Sequence, residues 1–266
     1  MARPVIALLS DFGTADHYVG TMKGVLLGIC PEATLVDITH ELPAHDVVGG
    51  ALELAAAYRF FPEETVFLAV VDPGVGSGRP GIAAEAGGYR FVGPDNGLLA
   101  LVFKGASPSL LVELTEKRYA RTTISRTFEG RDRFGPAAAW LAAGVPLSEL
   151  GTQIAAFTPL AVPTPEVRSD AIVGEVMRVD RFGNLETNID RASIEQVIQD
   201  PRHRAVVEIG THQIVGVRQT YSDVSSGQLT SLFSSADYLE IAASGASAAR
   251  VLGVHRGAVV RVCRLA

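Results

Sequence analysis

The chain has 266 residues, of which 47% are hydrophobic, so it is long enough to bury a large core in one or two domains. Its formal net charge of −6 is spread without a long run of like charges, which argues against nucleic acid and anionic membranes as partners. Two cysteines, Cys30 and Cys263, are too few for a disulfide framework, and the apolar run Val5–Leu9 is too short for a signal peptide or a membrane span. We therefore expect a soluble, unprocessed protein of the reducing cytoplasm.

The amino-terminal part of the chain alternates short apolar runs with segments of helical spacing. The predicted strands are Val5–Leu9, Thr34–Ile38 and Val66–Val71, and the predicted helices are Tyr18–Ile29 and Asp46–Phe61. A proline follows each helix within two residues and acts as a stop signal. This β-α-β-α-β order predicts an α/β domain with a mainly parallel sheet and helices on both faces.

The rest of the chain continues this pattern and then changes to a different one. A strand over Tyr89–Val92 precedes two predicted helices, Asn96–Phe103 and Gly135–Ala143. Residues 158–170 contain three prolines and no periodicity, which is typical of a linker. The segments that follow alternate as strands do, over Ile172–Val179, Arg204–Ile209, Tyr238–Ala242 and Ala258–Arg264. We predict an α/β domain over residues 1–160, a linker over 161–170 and a smaller all-β domain over 171–266.

Three of the predicted strands end in a Gly- or Pro-rich turn that carries an aspartate. These are Asp11, Asp72 and Asp95. Because ligands of parallel sheets bind outside the carboxyl ends of the strands, we expect these carboxylates to line one crevice. Apart from Arg79, the crevice has few fixed cations, so it suits a cationic or hydroxyl-rich ligand better than a nucleotide phosphate.

The turn from Asp72 to Arg79 contains a G-x-G-x-G sequence similar to that of dinucleotide-binding loops. A phosphate-binding loop leads into a helix, whereas residues 80–85 have the pattern of another strand, so we do not expect a dinucleotide. The turn instead allows the Asp72 and Arg79 side chains to meet, with Arg79 as a fixed donor. A salt bridge that only fastens the loop stays open as the alternative.

Four charges stand directly before the helix predicted at Gly135. Asp132 suits a helix cap, which would be a structural role. Glu129, three residues earlier, has no such explanation and is therefore a candidate for chemistry. The sequence Asp180-Arg-Phe-Gly-Asn184 predicts a turn that grips an adenine or an amino-acid head group, or else a plain Asx turn.

The histidines give no indication of a metal site. His40 and His45 lie among several acidic residues, but the chain has neither an HExxH motif nor a short His-x-His spacing. We therefore predict no metal.

Six short motifs follow one another along nearly the whole chain. They are Leu9-Ser-Asp-Phe-Gly-Thr-Ala-Asp16, Val36-Asp-Ile-Thr-His40, Val70-Val-Asp-Pro-Gly-Val-Gly76, Gly93-Pro-Asp-Asn-Gly97, Thr127-Phe-Glu-Gly-Arg-Asp132 and Phe182-Gly-Asn184. In order and spacing they resemble the S-adenosyl-L-methionine (SAM) hydroxide adenosyltransferase family, which also includes SAM-dependent fluorinase and chlorinase. The resemblance implies a Rossmann-like amino-terminal domain, a β-barrel-like carboxyl-terminal domain, and a homotrimer with active sites between subunits.

The resemblance also implies a reaction and the residues that bind the substrate. Water or hydroxide displaces methionine from the 5′ carbon of SAM and gives adenosine and L-methionine, with no cofactor. Asp11 is then expected at the ribose hydroxyls and Asp16 near the amino-acid portion. The further substrate-binding residues on this basis are Phe128, Asp180, Phe182, Asn184, Tyr221 and Ser235.

At the catalytic positions, this chain differs from the family pattern at one residue. The family's hydrolases combine an aspartate and an arginine, here Asp72 and Arg79, with a histidine that is Glu129 in this chain. We expect Glu129 to replace the histidine as proton acceptor, while Asp72 and Arg79 position the water. The halogenases lack the aspartate at the position of Asp72, so halogenation is the weaker hypothesis. A non-catalytic sensor of SAM or adenosine, and a scaffold without a small ligand, are the alternatives from other functional classes.

Overall fold

The computed structural model describes residues 3–265, and the chain divides into two units between Ala161 and Val162. Each unit has its own set of buried hydrophobic side chains. Part of the stretch predicted as a linker belongs to the second unit, where Glu166–Val167 forms a short strand.

The first unit contains one seven-stranded sheet. Its strands are β1 (Val5–Ser10), β2 (Thr34–Thr39), β3 (Val66–Val70), β4 (Gly81–Ala86), β5 (Tyr89–Pro94), β6 (Pro108–Glu113) and β7 (Thr152–Gln153). Their order in the sheet is β2-β1-β3-β5-β4-β6-β7, and β2, β1, β3 and β5 run parallel to one another. The carboxyl ends of these strands therefore meet at one edge of the sheet, where the three strand-end aspartates follow.

Helices cover both faces of this sheet. They are α1 (Tyr18–Ile29), α2 (Val47–Ala57), α3 (Ala100–Gly105) and α4 (Gly135–Ala142). In β1, Ile6 and Leu8 join the core under α1 and α4, whereas Ala7 and Leu9 join the core under α2 and α3. Successive side chains of a strand point to opposite faces, so this division buries β1 on both sides and confirms the predicted α/β class.

The second unit is built mainly from strands. These are β8 (Glu166–Val167), β9 (Ala171–Val179), β10 (Leu185–Asp190), β11 (Ala205–Ile209), β12 (His212–Val215), β13 (Val217–Arg218), β14 (Leu229–Phe233), β15 (Tyr238–Ala243) and β16 (Val259–Arg264). They follow the order β12-β11-β16-β9-β10-β15-β14-β13, with β8 on β9. The sheet is nearly closed and barrel-like, as predicted. Three short helices that the sequence did not indicate accompany it, α5 (Arg191–Val197), α6 (Pro201–Arg204) and α7 (Ala248–Leu252).

Two predicted helix starts are wrong, for local physical reasons. Asp46 lies just outside α2 and caps it by accepting a hydrogen bond from the Gly49 amide at 2.9 Å. Helix α3 begins at Ala100, because the Asn96 side chain is bound on both sides before it: Oδ1 accepts from the Leu98 amide, and Nδ2 donates to the Val71 carbonyl just after β3. Within residues 3–265, no helix combines the length and apolar character needed to cross a membrane.

Candidate active site

The Asp72–Arg79 turn follows β3 and brings its two terminal side chains together. Arg79 Nε donates to Asp72 Oδ1 at 2.7 Å, and Arg79 Nη2 donates to Asp72 Oδ2. The remaining terminal nitrogen, Nη1, donates to the Pro80 carbonyl at 3.0 Å. This two-point pairing fixes the plane of the guanidinium group as well as its position.

A glycine in the turn allows this geometry. Gly76 has a φ of +76°, in the left-handed region, and a side chain there would meet the carbonyl oxygen of Arg126. Arg126 in turn donates from Nη2 to the Gly76 carbonyl at 2.8 Å. The chain after the turn continues as β4, so the helix that a phosphate-binding loop needs is not there, as the sequence predicted.

Glu129 joins Asp72 and Arg79 in one cluster of charges. Arg79 Nη2 donates to Glu129 Oε2 at 3.0 Å, and Arg133 Nη1 lies 3.6 Å from the same oxygen. The side chains of Asp72, Arg79 and Glu129 are only 5%, 11% and 9% exposed. Two guanidinium groups therefore balance two carboxylates, and Arg133 is a second fixed cation that the sequence analysis did not anticipate.

A π-helical turn over Gly130–Phe134 places Glu129 and Arg133 on the same side of the chain. A Cβ atom at Gly130 would lie 3.1 Å from the sulfur of Met22, so the turn packs closely against α1. The Phe134 ring lies under the Arg79 guanidinium, with 5.1 Å between the guanidinium carbon and the ring centre. The sequence does not indicate this turn, since its hydrogen-bond spacing has no clear residue signature.

Asp132 anchors this region from within the π-helical turn, so its prediction as a helix cap is wrong. Its buried carboxylate accepts from the Ser125 amide at 2.8 Å and pairs with Arg131 at 2.7 Å and with Arg121 at 3.2 Å. Burial opposes ionisation, but the hydrogen bonds from Arg131 and Ser125 outweigh it and lower the pKa of Asp132. All partners of Asp132 are structural.

The other strand-end aspartates bind main-chain groups. Asp11 Oδ2 accepts from the His45 amide at 2.8 Å, and Asp95 Oδ1 accepts from the Thr158 amide at 2.7 Å. Asp16 is exposed in the bend before α1. Among these three carboxylates, Asp11 lies on the loop that directly follows β1, next to β3 and the Asp72 turn.

Phe128 is buried in a small aromatic group. Its ring meets Phe12 and Tyr18 edge-on, with centre-to-centre distances of 5.8 Å and 5.2 Å. Phe128 therefore connects the Asp11 loop to the segment that carries Glu129.

In the second unit, the Asp180–Asn184 segment forms the Asx turn that the sequence left open. Asp180 Oδ1 accepts from the amides of Phe182 at 2.9 Å and Asn184 at 2.8 Å, and Oδ2 accepts from Asn184 Nδ2 at 3.0 Å. Phe182 is 78% exposed at the tip of this turn. Ser235 is exposed in the turn between β14 and β15. The Asp180–Asn184 turn is therefore rigid, and its exposed Phe182 leaves an aromatic face available for a ligand.

Tyr221 has a buried acidic partner that the sequence analysis missed. Its hydroxyl donates to Glu240 Oε1 at 2.7 Å, and Glu240 stands opposite Glu186 on the neighbouring strand. Burial, together with Asp180 and Glu186, raises the pKa of the Glu240 carboxyl, while burial and Glu240 raise the pKa of Tyr221 to about 12. An acidic residue within an otherwise apolar strand, Tyr238–Ala243, was the available signal.

Over residues 3–265, no group of three or more His, Cys, Asp or Glu side chains is arranged to hold a metal ion.

The chain matches two family models that together cover most of its length. The SAM hydroxide adenosyltransferase N-terminal domain matches residues 6–151, and the corresponding C-terminal domain matches residues 174–261. A solved structure described as an uncharacterized conserved protein from Thermotoga maritima superposes with a TM-score of 0.92 at 36% identity, covering 97% of this chain and 100% of that one.

Curated relatives extend over nearly the same length. A Salinispora tropica protein named (R)-S-adenosyl-L-methionine hydrolase is 38% identical over 97% of both chains. A Thermus thermophilus protein of the same name is 38% identical over 98% of this chain and 99% of its own. A Nocardia brasiliensis fluorinase is 30% identical over 98% of this chain and 97% of its own. These matches show that the chain belongs to the SAM hydroxide adenosyltransferase family.

Proposed function

We propose that this chain hydrolyses SAM to adenosine and L-methionine. The observation that carries the proposal is the buried cluster of Asp72, Arg79 and Glu129 at the carboxyl edge of the parallel sheet. It occurs in a chain that is 38% identical, over almost its whole length, to proteins named SAM hydrolases. Halide is the less favoured nucleophile here, because the halogenases that this chain resembles lack an aspartate at the position of Asp72.

The reaction requires the protein to position a water molecule and to accept a proton. The oxygen of water forms a bond to the ribose 5′ carbon, the bond from that carbon to sulfur breaks, and the electron pair neutralises the sulfonium. Methionine leaves as a neutral thioether, so no acid is needed to expel it. The protein must align a weak nucleophile in line with the breaking bond and take up one proton.

The two carboxylates of the cluster suit different parts of this task. Both oxygens of Asp72 are bound by Arg79, so Asp72 and Arg79 form the rigid frame that positions the water. Both guanidinium contacts of Glu129 fall on Oε2, so we assign Oε1 as the atom that receives the proton. Arg133 lies beside the same Oε2 and helps to hold the Glu129 side chain in place.

Family resemblance supplies the residues that we assign to substrate binding. Asp11 binds the ribose hydroxyls and Asp16 the amino-acid portion, with Phe128 beside them. The residues assigned to the methionine and adenine ends are Asp180, Phe182, Asn184, Tyr221 and Ser235.

Family resemblance supports this assignment and also a homotrimer with active sites between subunits. Light scattering would test the oligomeric state. No cofactor takes part in the proposed reaction, and the low cysteine content supports a cytoplasmic location.

The test is to incubate the purified protein with SAM and to quantify adenosine and methionine by chromatography. Equal amounts of both products, lost in Asp72→Ala, are expected. Intact SAM that nevertheless raises the melting temperature of the protein would instead identify a non-catalytic sensor. No thermal shift with SAM, adenosine or methionine would leave only the scaffold alternative.

A further inference from the structure

A partly buried chain of hydrogen bonds begins at Ser10, next to Asp11, and none of its groups takes part in the chemical step proposed above. Ser10 Oγ and His40 Nδ1 are 2.7 Å apart, and His40 Nε2 lies 3.1 Å from Asp37 Oδ1. Lys23 on α1 closes the chain by donating to Asp37 Oδ2 at 2.6 Å. The Ser10 and His40 residues are 0% and 4% exposed, so their polar groups depend on each other.

The partners determine the direction of these hydrogen bonds. An ionised Asp37 only accepts, so the proton of a neutral His40 is on Nε2, and Nδ1 accepts from the Ser10 hydroxyl. Partial burial of Asp37 acts against its ionisation, but the hydrogen bonds from Lys23 and His40 outweigh it and lower its pKa. Ser10 Oγ keeps a lone pair for the Phe12 amide, which donates to it at 3.4 Å.

His40 also holds the Asp11 loop through its main chain. The Gly13 amide donates to the His40 carbonyl at 2.7 Å, so the ring and the carbonyl of one residue fasten both ends of the Ser10–Gly13 segment. The pairing of β1 with β2 shifts register between Leu8 and Leu9, just before this segment. The shift adds one residue to β2 before this segment, and the contacts of His40 with Ser10 and Gly13 join the loop to the end of β2.

The loop after β2 reaches Asp11 a second time, at a strained residue. His45 has a φ of +68°, a left-handed conformation that is uncommon for a residue with a side chain. In this conformation its amide donates to Asp11 Oδ2. Backbone strain of this kind persists only where surrounding contacts impose it, and it concentrates at functional sites.

We propose that His40 is a positioning residue for Asp11, and that it acts on substrate binding rather than on the chemical step. The inference rests on the function proposed above, in which Asp11 binds the ribose hydroxyls. By holding Ser10 and Gly13, His40 sets the direction of the Asp11 carboxylate, and the His45 amide occupies one of its oxygens. The other oxygen, Oδ1, is thereby aimed at the ligand.

Two substitutions of His40 separate its two contacts. His40→Asn keeps a polar atom near the Nδ1 position, within reach of Ser10, whereas His40→Gln keeps one near Nε2, within reach of Asp37. We expect His40→Gln and Ser10→Ala to raise KM for SAM roughly tenfold with kcat within about twofold, since one hydrogen bond is lost in each. His40→Asn should stay within about threefold of the wild-type KM.

The control variant keeps the Asp11 contacts. Lys23→Ala removes only the outer, partly exposed end of the chain and should retain the wild-type KM. Equal KM values for wild type, Ser10→Ala and His40→Gln would overturn the proposal, as would a loss confined to kcat.

Calorimetric titration with adenosine separates this proposal from the proposed function. If the wild type leaves SAM intact, hydrolysis is refuted, and a weaker adenosine affinity in His40→Gln than in His40→Asn still supports the positioning role. Equal adenosine affinities in those two variants would overturn it. Should His40→Gln fail to fold, Ser10→Ala gives the same comparison with a smaller change.

Discussion

Arg79→Lys is the substitution that examines the catalytic cluster most closely, because it keeps the positive charge and removes the planar, two-point pairing with Asp72. Arg79 donates to both oxygens of Asp72, to Glu129 Oε2 and to the Pro80 carbonyl through three nitrogens in one plane. A lysine ammonium is a single point with a flexible stem and cannot span two carboxylates in this way. We therefore expect Arg79→Lys to disturb the alignment of Asp72 and Glu129.

The size of the effect follows from the contacts that are lost. Hydrogen bonds to charged groups contribute about 1.5–3 kcal/mol each, and solvent screening is small because the Arg79 side chain is only 11% exposed. Loss of one to two such contacts gives about 3 kcal/mol, which corresponds to roughly a hundredfold fall in kcat/KM for adenosine formation. The free energy of unfolding should fall as well, because two buried carboxylates lose part of their partner.

The assay is adenosine release under initial-rate conditions, combined with thermal unfolding. Arg118→Lys is the matched control, since Arg118 is 60% exposed and pairs with an exposed Glu149, a contact worth about 0–1 kcal/mol. It should behave as the wild type in both measurements. A kcat/KM for Arg79→Lys within about threefold of the wild-type value would refute the role assigned to the planar pairing.

Three further predictions concern Glu129, Asp132 and Glu240. Glu129→Gln keeps the size of the side chain but takes up no proton, so kcat should fall roughly 10²- to 10⁴-fold with little change in KM, measured by the same adenosine assay. Asp132→Asn should lower the free energy of urea unfolding by about 2–3 kcal/mol at pH 7. Because the folded pKa of Asp132 is lowered, the stabilisation by its carboxylate is present above the unfolded pKa of 3.8. The difference in unfolding free energy between Asp132→Asn and the wild type should therefore shrink as the pH falls below that value. Glu240 has a raised folded pKa, so its contribution to stability is complete below the unfolded value of 4.5 and is lost as the pH rises through the folded value. Glu240→Gln, whose amide oxygen still accepts from Tyr221, should therefore gain stability over the wild type between pH 4.5 and pH 8; an unchanged difference across this range would contradict the assignment.

Local patterns were sufficient to predict the elements that place the site. Helix α1 has the predicted bounds, because its apolar residues follow helical spacing and Pro31 follows its end. Strand β1 was predicted to within one residue, since it is buried on both faces and reads as a continuous apolar run. The meeting of Asp72 and Arg79 could be anticipated because one short glycine-rich turn joins them.

The contacts that the sequence analysis missed depend on distant parts of the chain. Tyr221 and Glu240 are brought together by the pairing of strands within the second unit, and no local pattern specifies that register. Ser10 and His40 meet across two strands whose register shifts beside them. Arg133 reaches Glu129 because a π-helical turn separates them, and the sequence indicated only a charged approach to a helix.

We expect water to attack the 5′ carbon of SAM directly, and incubation with SAM in oxygen-18 water reveals where the new oxygen atom comes from. Mass spectrometry of the products should find the label in the 5′ hydroxyl of adenosine and none in methionine, with label incorporation lost in Asp72→Ala and slowed in Glu129→Gln. Adenosine that forms without the label would contradict the account, because its 5′ oxygen would then come from a source other than the solvent.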